Sequence, residues 1–173
     1  GARMQRKSYV LVLIALALGC SSYEPQPVES NAVFRAAASG VPSCMPGHEA
    51  ALAHGTVTIR PGETLCVTVR SEGLALAPVA VVGDADPGEK IVLRSWQEPG
   101  SDDVFLTVHN PFPQHLKYGI AILRPGERRF QRTGSCPALS NRFALEQWPY
   151  PVAAIALAEF RLLSGTGDAI SCE

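Results

Sequence analysis

From Thr56 onward the chain alternates between apolar and polar positions. Val57 and Ile59 stand between Thr56 and Thr58; Leu65, Val67 and Val69 alternate with Thr64, Cys66 and Thr68; Val104, Leu106 and Val108 alternate with Phe105 and Thr107. Successive side chains of a strand leave opposite faces, so a period of two marks half-buried strands and not helices. The same reading predicts strands over 74–82, 91–97, 117–124, 129–133, 142–147 and 154–163. Between them Arg-Pro-Gly-Glu occurs twice, at 60–63 and 124–127. In each copy Pro presets φ at the first corner of a turn and Gly supplies the positive φ of the second. The alanine-rich stretch 153–163 would also suit a helix, but it follows Pro149 and Pro151 without an N-cap. As a strand it puts Ala156, Ala158, Phe160 and Leu162 on one face and Glu159 and Arg161 on the other. About eight short strands with Gly, Pro and Asp turns predict an all-β fold, an antiparallel β-sandwich of Ig-like or fibronectin-like size over residues 44–173. An open barrel is the alternative. Trp96 lacks flanking strand cysteines, so the architecture is proposed without the antibody-type core.

The N-terminal residues follow a different pattern. Arg3, Arg6 and Lys7 precede an uncharged apolar run from Tyr9 to Leu18, which ends in Ala17-Leu18-Gly19-Cys20. The run is shorter than the roughly 20 apolar residues needed to cross a bilayer. It resembles a bacterial lipoprotein signal peptide with its lipobox, with Ala17 where Leu is usual and Leu16 just upstream. That resemblance covers residues 4–22 and implies cleavage before Cys20, acylation of the Cys20 thiol and amine, and attachment to a membrane through the lipid. Ser21 and Ser22, with no Asp after the Cys, resemble the signal that sends such proteins to the Gram-negative outer membrane, here read as periplasm-facing. Residues 1–19 are thus the expected signal peptide. Residues 20–43, rich in Pro, Ser and Ala, are the lipidated Cys and a tether with a reach on the order of 25 Å; a short helix within the fold is the alternative for its second half.

Cysteine parity agrees with this address. Five cysteines less Cys20 leave Cys44, Cys66, Cys136 and Cys172, an even set suited to two disulfides in an oxidising compartment. Three pairings are open. Cys66 falls on the face opposite Leu65 and Val67, so it could clamp the segment bearing Cys44, leaving Cys136 and Cys172 to close the other end. No Cys-x-x-Cys suggests a redox pair.

Charge narrows the function. The 173 residues carry 15 Lys and Arg against 16 Asp and Glu; without residues 1–19 the balance is twelve against sixteen, a net charge of −4. With no basic stripe to release counterions, no nucleic-acid partner is expected. Cys44, Met45, His48 and His54 offer soft and imidazole donors, but the two histidines are six residues apart and share no helix face, so no metal is expected there. The 83–89 segment opens like a calcium loop yet has Gly88 at the third ligand position. Asp102 and Asp103 read as a turn, and His109 and His115 as the flanks of a Pro-stiffened connection. No Gly-x-Ser-x-Gly, Ser-x-x-Lys or phosphate loop occurs. No catalytic activity and no cofactor are therefore expected.

Recognition remains. Phe112, Leu116 and Tyr118 lie in HNPFPQHLKY, and Trp148 and Tyr150 in WPYP. Aromatics beside proline lose little entropy on binding and suit an interface centre, although the same rings could cap the core. The sequence thus predicts a non-catalytic module that binds or assembles with an envelope protein. An immunity lipoprotein that neutralises a delivered toxin, and a metal- or small-ligand-binding lipoprotein, are the alternatives.

Overall fold

The computed structural model describes residues 44, 51–83, 89–164 and 171–172, all within the compact unit formed by residues 37–173. Ten strands follow in order: β1 Leu52–Ala53, β2 Thr56–Ile59, β3 Thr64–Glu72, β4 Ala75–Val82, β5 Ile91–Gln97, β6 Val104–His109, β7 His115–Leu123, β8 Gln131–Thr133, β9 Phe143–Trp148 and β10 Ala154–Leu163. Every pairing is antiparallel, and the strands form one continuous open sheet. The all-β antiparallel expectation holds, and the strand count exceeds the expected eight; two separately bonded layers are not distinguished. The one strand without a counterpart among the nine segments predicted individually, β1, is two residues long and has no room for a periodic signal. Gly62 (φ 94°) and Gly126 (φ 82°) take the positive φ predicted for the two Arg-Pro-Gly-Glu turns. Each turn closes on a hydrogen bond from the Glu backbone N–H to the Arg carbonyl, at 3.1 Å.

The sheet runs β9-β6-β5-β3-β4-β10-β7-β8, with β2 and β1 attached beside the first half of β10. Strand β10 is the junction because it bends. Its register with β7 shifts between Ala158 and Arg161, where Glu159 sits at φ 56°. A bulge of this kind inserts a residue and reverses the side-chain phase. Ile155 and Leu157 therefore face the core before it and Phe160 after it. The uniform face of Ala156, Ala158, Phe160 and Leu162 expected from alternation is corrected accordingly: a single positive-φ residue breaks the period.

One side of the sheet encloses the core. Val57, Ile59, Leu93, Val104, Leu106, Val108, Leu116, Ile155 and Leu157 are fully buried in it, with Tyr118, Trp148 and Phe160 nearly so. Beyond β8 the chain returns to the start of β7, where Leu116 and Ala138 exchange two backbone hydrogen bonds of 2.9 Å. That return closes the core between the two ends of the sheet.

Candidate functional site

Three of the five residues expected at a partner surface lie in the core. Leu116, Tyr118 and Trp148 are buried, and Phe112 and Tyr150 are half-buried against the same core. This corrects the sequence expectation, and the reason is periodicity: on β7 the even positions 116, 118, 120 and 122 all point inward. The connection before β7 is pinned by Asn110, which is fully buried. Its Nδ2 donates to the carbonyls of Gln114 (2.7 Å), Ala138 (3.1 Å) and Leu139 (3.0 Å), while its Oδ1 accepts the Phe112 N–H at 3.0 Å. An Asn ahead of a Pro-containing turn is the local signal for such a side-chain-closed loop. The Tyr150 ring carries the Arg124 guanidinium 4.3 Å from its centroid.

Two of the exposed large hydrophobics, Phe143 and Leu145, lie together on the outward side of β9, continuous with an apolar outward side of β6 and β5 on which Val92, Phe105 and Thr107 are buried. Register places Val92, His109 and Phe143 in one row, Arg94, Thr107 and Leu145 in the next, and Trp96, Phe105 and Gln147 in a third. Residues directly opposite on neighbouring strands share a face. Trp96 stacks on Phe105 with ring centroids 5.3 Å apart, His109 packs on Phe143 at 4.6 Å, and Arg94 lies 5.5 Å from the Trp96 centroid. Phe143 keeps 51% of its surface exposed and Leu145 43%. Burial holds the His109 imidazole below its ordinary pKa, so the row it joins is uncharged at neutral pH. Among the described residues β9 pairs with β6 alone and is an edge strand. Sequence reasoning missed this face because β6 and β9 are apolar on both sides. The signal was present, since Phe143 and Leu145 alternate with Ala144 and Glu146 on a strand that also ends in Trp148.

Of the three possible cysteine pairings, the structure joins Cys44 to Cys66 and Cys136 to Cys172, with Cα atoms 5.5 and 4.2 Å apart. The first pair lies on the outward side of β3 and β5, where Cys44, Cys66 and Val92 form a small second core with Val82 against it. The second lies beside a polar cluster. Glu146 Oε1 accepts from the Tyr118 hydroxyl at 3.1 Å and from the Cys136 N–H at 3.2 Å. Burial raises the Glu146 pKa, opposed by those two hydrogen bonds and by the charge of Lys117. Burial and the neighbouring Glu146 raise that of Tyr118. Lys117 Nζ donates to the carbonyls of Ser135 (2.7 Å) and Ser171 (3.3 Å).

Cys20, Met45, His48 and residues 84–88 lie outside the described residues. His54 occupies a turn with φ 51° ahead of Gly55, and His115 Nδ1 accepts the Ser140 N–H at 3.0 Å. The Asp103 N–H donates to the Ser101 hydroxyl oxygen at 3.0 Å within the turn read for Asp102 and Asp103. Among the described residues no three His, Cys, Asp or Glu side chains come together as a metal site, and no helix is long and apolar enough to cross a membrane. Comparison with protein-family models, curated proteins and solved structures finds no match.

Proposed function

We propose that this chain is a lipid-anchored, periplasm-facing protein of the bacterial outer membrane that acts as a non-catalytic module, docking an envelope protein on the outward side of β5, β6 and β9. The observation that carries the reading is the half-exposed pair Phe143 and Leu145 on an edge strand, with Phe143 packed on His109 of the neighbouring strand. Aromatic side chains flanked by an Arg make up the centre of many protein interfaces, and a rigid sheet loses little entropy when such a surface is covered. An unpaired edge also offers backbone groups to an extended segment of the partner. The lipobox at Cys20 supports the address, and the paired cysteines suit an oxidising compartment.

The test is site-specific photo-crosslinking in the native envelope, with the probe at Phe143, at Leu145 and, as control, at Val79, an apolar side chain of equal exposure on β4. One dominant adduct from 143 and 145, absent from 79 and lost when Phe143→Asp is combined with the probe at 145, is the expected result. Equal labelling from all three positions overturns the assignment of this face.

A further inference from the structure

On the outward side of β7 and β10 the charges are arranged against their own stability. Lys117 and Arg161 are directly opposite in the register of these strands, so two cationic residues share one face. Like charges in that position repel. Neither has a carboxylate within ion-pair distance among the described residues. Lys117 is only 8% exposed, and its ammonium spends two hydrogen bonds on neutral backbone carbonyls, leaving a third donor. Glu146, the acid whose titration it influences, faces the other side of the sheet, where it meets Tyr118.

A third cation stands beside them. Arg132 of β8 reaches across β7 to Glu159 at the β10 bulge, Nη2 to Oε2 3.0 Å. This pair lies over the bare α-carbon of Gly119, where a Cβ would come within 2.9 Å of Glu159 Oε2 and 3.6 Å of Arg132 Nη2. Beside it is a depression of about 280 Å³ lined by Lys117, Tyr118, Gly119, Arg132, Glu159 and Arg161. Its lining holds three cationic residues and one acid, and the acid is already engaged by Arg132. The bulge is what re-aims Glu159 over the strand and brings Arg161 opposite Lys117.

We infer that this depression is a binding site for a phosphate dianion, either free or carried as a monoester. The Arg161 guanidinium and the Lys117 ammonium suit a tetrahedral dianion, since Arg binds phosphate oxygens in pairs and Lys supplies a compact charge, and Arg132 can contribute only the nitrogens that Glu159 does not engage. The dianion would neutralise the Lys117–Arg161 repulsion and take the third Lys117 donor. The site is on different strands from the Phe143 face and does not depend on the docking reading.

The experiment is isothermal titration of the full mature chain, in neutral detergent at constant ionic strength, with inorganic phosphate and with glycerol 3-phosphate. Saturable one-to-one binding is expected, at least tenfold weaker in Arg161→Gln and in Lys117→Gln and undiminished in Phe143→Asp. Arg161 is exposed, so its variant keeps the test valid even where Lys117→Gln does not fold. In phosphate-free buffer Arg161→Gln should melt no lower than the native chain, because it removes a repulsion. Tighter binding of glycerol 3-phosphate by tenfold or more assigns an organic monoester such as a lipid headgroup, and equal binding assigns free phosphate. No binding, a signal reproduced by chloride, or equal affinity in Arg161→Gln overturns the site.

Discussion

A buried amide is tolerated only when its donors and acceptor are matched, and Asn110 meets that condition with four partners, two in its own loop and two at Ala138 and Leu139. Asn110→Ala would leave three carbonyls and one N–H to find water inside the fold. We expect a loss of about 3 kcal/mol in chemical denaturation. Asn110→Asp keeps the acceptor for Phe112 but turns a carboxylate toward three carbonyls, so it should cost at least as much; rescue by Asp would show that the loop is held by other contacts. Glu146 makes the complementary case. Its pKa is raised by burial, so the folded state favours the protonated form; the stability this adds is fully present below the ordinary carboxylate range and is lost as pH rises through the raised native value. Glu146→Gln keeps an oxygen for the Tyr118 hydroxyl and the Cys136 N–H without the charge. Its melting temperature should equal the native one at low pH and match or slightly exceed it at neutral pH, and a variant that is less stable at neutral pH would show that the Lys117 charge outweighs desolvation. The local half of the Asn110 role has a sequence signal in the turn it precedes, but its bonds to Ala138 and Leu139 and the Tyr118–Glu146 bond join residues 28 to 29 positions apart and were not legible.

At the scale of elements, period-two alternation located nine of the ten strands, because each strand with one buried face writes that face into every second position. It failed where the phase is interrupted. The β10 bulge at Glu159 has no glycine to announce it, so the sequence misassigned the inner face of the last strand. It also failed where both faces are apolar, and there the sequence could not separate the buried Trp148 from the exposed Phe143. The bulge carries a prediction. Gly119→Ala should push the Glu159 carboxylate off the strand and break its pair with Arg132. Both side chains are largely exposed, so the lost ion pair is worth no more than about 1 kcal/mol, and replacing a strand glycine returns a similar amount. The net change in unfolding free energy should stay within about 1 kcal/mol; a loss above about 3 kcal/mol would mean that the backbone at Ala158 has to move as well. The Cys44–Cys66 closure spans 22 residues and anchors the second core on β3 and β5. Loop-closure entropy for that length gives about 3 kcal/mol, so the Cys44→Ala/Cys66→Ala double variant should lose that amount in guanidinium titration.

The whole molecule combines an acidic net charge with a local excess of cations on β7 and β10 and an apolar face on β9, so its surface is segregated by strand. On the proposed reading, the chain without residues 1–19 has a net charge of −4 and gains nothing from anionic headgroups overall, so attachment would fall to acyl groups on Cys20. One acyl chain gives marginal, reversible binding, whereas two or more hold a protein stably. The lipobox therefore predicts a membrane fraction that survives high salt, which screens charge, and yields only to detergent. Cys20→Ser should abolish fatty-acid labelling and move the mature protein to the soluble periplasmic fraction. Because Cys44, Cys66, Cys136 and Cys172 remain paired in that variant, a non-reducing gel distinguishes released, oxidised protein from chain that never left the cytoplasm. Retention of the Ser variant in salt-washed membranes would assign attachment to the uncleaved apolar run of residues 9–18 and not to lipid.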